Sequence, residues 1–220
     1  MSNCGCHDTA CALTASRDRD RRRVLWAVLA INLVLFAGEF SAGWWADSSA
    51  LQADSLDSLG DALVYAMSLW AVGRSLRQRS HVVLFKGGIQ ALFGIAVLLE
   101  VTRRAWLGAE PLAPVMAIAA GVALVGNLVC FGLLTRFRSD DMNMRSVWLC
   151  SRNDLVNNSG VILAAGLVAI TGSRWPDLVV GTGVALLFLW TAVAVLRGGW
   201  QDLKRSAAPQ ALTRENRSVT

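Results

Sequence analysis

Of 220 residues, 54% are hydrophobic and only 17% charged, below the roughly 25% charge of soluble domains, and the apolar residues gather in long blocks that point to a bilayer. The net charge of +5 does not mark a nucleic-acid binder, because the basic residues cluster at the ends of apolar blocks and no DNA- or RNA-binding signature is present. Five cysteines are an odd count and poor grounds for a disulfide framework.

In chain order, residues 1–23 read as a flexible polar cytoplasmic tail without a signal peptide, ending in the charge run 17–23. Six apolar segments follow: Val24 to Trp45, Ala50 to Val72, Val82 to Val101, Pro111 to Leu134, Arg145 to Ile170, and Pro176 to Leu196. Each is close to the ~20 residues a helix needs to cross the hydrocarbon core. The expected fold is therefore an all-α membrane protein with a six-helix transmembrane domain over 24–196. A short polar tail, 197–220, follows it, too short for a further folded domain. With six crossings and both termini in the cytoplasm, 17 Lys and Arg fall on the cytoplasmic side, counting Lys86 at the start of the third segment. Only Arg103, Arg104 and Arg174 fall opposite, and Arg152 sits within a helix. That asymmetry selects the orientation and suits a multi-pass protein of the plasma (inner) membrane.

The second segment carries Asp54, Asp57 and Asp61. Asp57 and Asp61 are four apart and share a helix face, and Asp54 is either their neighbour or a residue at the helix start. The fifth segment repeats the spacing with Cys150 and Asp154, and Asn158 continues the stripe. Carboxylates in a membrane cost several kcal/mol each unless paired, hydrated or metal-bound. Two such helices face to face offer Asp57, Asp61, Cys150 and Asp154 as four ligands for a tetrahedral divalent metal. A donor set of carboxylates and one thiolate suits zinc, cobalt or cadmium. Arg152 points roughly away from these ligands; either Glu39 is its intramembrane partner or it snorkels into a cytoplasmic cavity. Cys4, Cys6, His7 and Cys11 form a small tract suited to metal capture. His81 reads as solvated, most tryptophans as interfacial anchors, and Gly160 and Gly166 as packing positions. With two histidines, and neither a phosphate loop nor a Ser/His/Asp arrangement, no enzyme and no resident cofactor are expected.

At Ser48 to Ala62 and at Cys150 to Val161 the chain resembles the cation diffusion facilitator family of divalent-metal/proton antiporters. Asn127 and the run Trp175-Pro176-Asp177 are weaker points of likeness. The resemblance implies efflux of divalent metal from the cytoplasm by alternating access, with protons moving inward, and a homodimer. Family members usually have His or Asp where Cys150 stands. They also usually carry a cytoplasmic metal-binding domain after helix six, which this chain is expected to lack. Zinc is the first expectation for the transported ion, with cadmium or cobalt beside it. Two rival functions are an organic-cation transporter and a membrane metal sensor or chaperone without transport. The former requires aromatic side chains beside the acids, whereas Tyr65 is the only one nearby.

Overall fold

The computed structural model describes residues 5–70, 76–140 and 142–207. It describes side chains from residue 17 on, apart from 68, 70, 76–83, 86, 142, 143, 146, 199 and 202–207. The side chains of the Cys4–Cys11 tract and of His81 therefore lie outside the described residues.

Six helices occur in the order α1 (Gly5–Trp45), α2 (Ser49–Trp70), α3 (Leu76–Leu107), α4 (Ala113–Thr135), α5 (Met142–Thr171) and α6 (Trp175–Ala207). No strand occurs among the described residues. The centres of the six segments agree with the sequence reading, but several ends do not. α1 runs unbroken from Gly5 through most of the segment expected as a flexible tail, and α6 continues past Leu196 to Ala207. Among the described residues four helices, α1, α4, α5 and α6, contain spans long and apolar enough to cross a membrane by length and composition. α2 carries three aspartates within its 22 residues, and α3 carries charges towards both ends.

The short connections α1–α2, α3–α4 and α5–α6 lie together at what we call the capped end. The first residues of α1 and the last of α6 lie at the opposite, terminal end with the two remaining connections. α1 packs on α2 and α4, α5 packs on α4, α2 and α6, and α3 packs mainly on α6; among the described residues the backbones of α1 and α5 do not come close. A four-helix group of α1, α2, α4 and α5 therefore stands beside an α3–α6 pair. Within that pair Gly87 and Gly94 face Leu196 and Leu189, and a Cβ on Gly94 would come within 2.8 Å of the Leu189 side chain. Gly94→Leu is expected to force α3 off α6 at a cost of about 1–3 kcal/mol, read as a lower unfolding temperature in detergent. Of the two glycines singled out for packing, Gly160 has Val180 at 3.8 Å and Gly166 faces open space.

The capped end is pinned by polar contacts. Asp47 takes a left-handed conformation (φ 51°) in the tight turn between α1 and α2, where its Oδ2 accepts from the Glu110 backbone N–H at 3.2 Å. Arg104, 3% exposed, reaches Asp47 and Glu100. Ser48 caps α2, its Oγ accepting from the Leu51 N–H at 3.1 Å. Asp177, fully buried in the first turn of α6, accepts from the Ser49 N–H at 2.7 Å, the Ala50 N–H at 3.1 Å and the Ser48 hydroxyl. One side chain of α6 thus satisfies the open N–H groups at the start of α2. At the terminal end Arg17 pairs with Asp140 in the α4–α5 connection and holds that carboxyl below the usual carboxylate range.

Candidate metal centre

Asp57 and Asp61 stand one turn apart on α2 and Asp154 faces them from α5. Each offers a carboxylate oxygen, and these oxygens lie within 4.8 Å of one another. Metal–oxygen bonds of about 2.0–2.2 Å in a tetrahedron place ligand oxygens about 3.4 Å apart, so modest side-chain rotations would bring the three onto one ion. Asp61 and Asp154 are buried and Asp57 is half-buried. The Asn157 amide donates to Asp57 Oδ2 at 2.6 Å, and the Tyr65 hydroxyl donates to Asp61 Oδ2 at 2.9 Å. These neutral donors orient the carboxylates without neutralising them, leaving negative charge for a cation.

The three acids line a cavity of about 690 Å³ between α2, α3, α5 and α6. Its wall extends along α2 from Leu56 to Met67, so the cavity lies on the terminal side of Asp57. Towards the capped end an apolar layer of Ala53, Val97, Val101, Leu178, Val184, Ala185 and Phe188 closes the space between α2, α3 and α6. A second layer, Ala50, Leu51, Ala120 and Val161, closes the four-helix group at the same level.

Cys150 lines the same cavity, although its sulfur is not among the ligand atoms that cluster within 4.8 Å. Asn158, expected to continue the ligand stripe, is buried, donates to the Asp154 carbonyl of its own helix at 2.9 Å, and does not line the cavity. Asn153 and Asn157 line it instead. At 100° per residue Asn157 and Asn158 lie about 60° and 40° to opposite sides of Asp154, and α5 is rotated so that the Asn157 side meets α2. Asp54 is not among the clustered carboxylates, does not line the cavity and is not at the helix start. It is buried six residues into α2 and in hydrogen-bond contact with Glu39. Glu39, buried against α2, consequently does not pair with Arg152, which is exposed on α5.

Tyr65 is not the only aromatic near the acids, because Phe85 and Phe93 of α3 and Phe188 and Trp190 of α6 also line the cavity. Sequence proximity along α2 could not show them, since their helices arrive from elsewhere in the chain. Trp44, Trp45, Trp106, Trp175 and Trp200 are exposed near helix ends. Trp148 differs, packing on Phe131 and donating to Thr135 at 3.0 Å. Asn127 is fully buried in α4 but stands outside the cavity.

The sequence profile of the cation efflux transmembrane domain matches residues 25–203. The chain belongs to the cation diffusion facilitator family. It is 27% identical over 213 residues to the zinc transporter ttm-1 of Caenorhabditis elegans, across 82% of this chain and 52% of that protein. It is 27% identical to the zinc transporter ZitB of Yersinia pseudotuberculosis, across 87% of this chain and 63% of the relative. The metal cation efflux system protein CzcD of Cupriavidus metallidurans is 26% identical, across 84% and 60% respectively. The chain thus spans about half to two thirds of the length of these relatives. Family membership and the apolar helices make this facilitator a multi-pass membrane protein.

Proposed function

We propose that this facilitator exports divalent transition-metal ions from the cytoplasm in exchange for protons, with Asp57, Asp61 and Asp154 holding the ion and Cys150 joining them. The reading rests on one observation: three carboxylates from two helices converge within 4.8 Å at the inner limit of a cavity. All six helices, over 24–196, cross the plasma membrane, with both chain ends in the cytoplasm. In that orientation the cavity faces the cytoplasm and the two apolar layers block the far side. Metal binding requires deprotonated ligands, so protons arriving from outside displace the ion once the site faces that way. Zinc is the foremost cargo, as the names of two relatives suggest, and the working unit is a homodimer.

The test is uptake of zinc, cadmium and cobalt into proteoliposomes, with and without a pH gradient. Uptake that ignores the gradient would remove the antiport. Cys150 should set the order within the panel, because a thiolate favours softer ions. Cys150→Asp is expected to lower the cadmium-to-zinc ratio, and an unchanged ratio would remove Cys150 from the site.

The aromatic wall of Phe85, Phe93, Phe188 and Trp190 favours a second reading, in which the acids act as counter-ions for an organic cation held against the rings. Uptake of a quaternary ammonium probe that zinc does not inhibit would support it over metal transport.

A further inference from the structure

Glu39 and Asp54 lie outside the metal centre and outside the cavity wall. Each is 2% exposed, and their side chains are in hydrogen-bond contact across the α1–α2 interface. Glu39 Oε2 accepts from the Ser58 hydroxyl at 2.9 Å. Among the described residues Glu39 Oε1 and Asp54 Oδ2 are buried without a donor. An ionised carboxylate only accepts hydrogen bonds, so two such groups cannot satisfy each other. The other charged groups facing the pair are also acids: Asp57 on α2 acts on Asp54, and Asp54 acts on Asp154 across α5. Among the described residues no arginine or lysine pairs with either carboxyl: Arg104 meets Asp47 and Glu100, and Arg152 is exposed. α4 contributes apolar Ala120 at this level.

One shared proton resolves the arrangement. It supplies the missing donor between two oxygens and removes the repulsion of like charges, as in other carboxyl pairs that share a proton. A metal ion is a poor occupant, because Glu39, Asp54 and the Ser58 hydroxyl offer few donors, and none of the three lines the cavity beside the metal centre. We propose that Glu39 and Asp54 form a proton-binding site distinct from the metal ligands. The pair shares one proton while the cavity is metal-free. It releases that proton to solvent, breaking the carboxylic O–H bond, when a dication binds one turn away at Asp57. This rests on the metal-transport reading and adds a proton to the exchange beyond those displaced from the ligands.

The experiment titrates zinc into the purified full-length chain in weak buffer, counting protons released with a pH dye, for wild type, Glu39→Gln and Asp54→Asn. Both variants are expected to bind zinc with wild-type affinity while releasing about one proton fewer per ion. Infrared spectra of the metal-free wild type should show protonated-carboxyl absorption that falls on adding zinc, with one component of the lost absorption missing in both Glu39→Gln and Asp54→Asn and present in Asp57→Asn before zinc is added. An unchanged proton count, or loss of zinc binding in a folded Glu39→Gln protein, would overturn the proposal. Should neither variant fold, Glu39→Asp and Asp54→Glu, which keep both carboxyls, decide: a zinc-dependent protonated-carboxyl component shifted from its wild-type position in both supports the site, and spectra identical to wild type overturn it. Asp57→Asn separates the two readings, since retained zinc binding there would sink the metal centre itself, whatever the pair does.

Discussion

Asp57→Asn is expected to weaken zinc binding by more than about 100-fold, beyond the 10–100-fold that loss of an outer-shell partner costs, and to abolish zinc uptake into proteoliposomes. Three carboxylates converge on the site, so the substitution removes a third of the local negative charge and one donor atom. The amide keeps the size of the side chain and can still hydrogen-bond to Asn157, its present partner. The fold should therefore survive, with an unfolding temperature close to wild type. Asp154→Asn should behave alike, since Asp154 is the sole carboxylate that α5 contributes. Because the ligands bind metal only when deprotonated, zinc affinity should fall as pH is lowered through the carboxylate range, and the variants should show a shallower dependence. Zinc binding measured by calorimetry on detergent-solubilised protein checks all three expectations. A folded Asp57→Asn protein that keeps wild-type affinity would remove the acid cluster from the metal reading.

The second large effect is expected at Asp177, far from any ion. Asp177→Ala removes three hydrogen bonds from the start of α2 and leaves the N–H groups of Ser49 and Ala50 buried without partners. Losing charge-assisted bonds and a helix cap together should cost about 2–4 kcal/mol, read as a marked drop in unfolding temperature. Asp177→Asn should cost less, because its carbonyl oxygen still accepts from one N–H. α6 approaches so closely here that a Cβ on Gly181 would meet the Ser49 backbone at 3.1 Å, so the cap and the close packing hold the same joint. Equal stability of Asp177→Ala and wild type would show that this joint contributes little.

The acids of the metal centre were legible because a helix converts a spacing of four into a shared face, and because carboxylates stand out in an apolar segment. What periodicity within one segment cannot reveal is which helices become neighbours. Glu39 and Arg152 look like partners when opposite charges are matched along the chain, yet α1 lies on α2 and α4. Glu39 therefore meets Asp54, and Arg152 points outward. The aromatic wall was hidden for the same reason, since Phe85, Phe93, Phe188 and Trp190 belong to helices whose approach to Asp57 is a property of the bundle. Asn157 and Asn158 show the limit at single-residue scale. Both are amides on one turn, and only the rotation of α5 against α2 decides which one reaches the carboxylate. Asp177 stood in a family-like run, but its partner, the open start of α2, lies more than a hundred residues away in sequence.

The cap on α2 also shapes the field along the route an exported ion would take. A helix start carries about half a positive elementary charge, and the start of α2 stands on the far side of Asp57 from the cavity. A dication leaving in that direction would meet this charge head-on. Asp177, buried against those same N–H groups, cancels it where the ion would feel it most. An asparagine there could hold the helices together and still leave the partial charge bare, so a well-folded Asp177→Asn protein that binds zinc normally should nonetheless release it slowly.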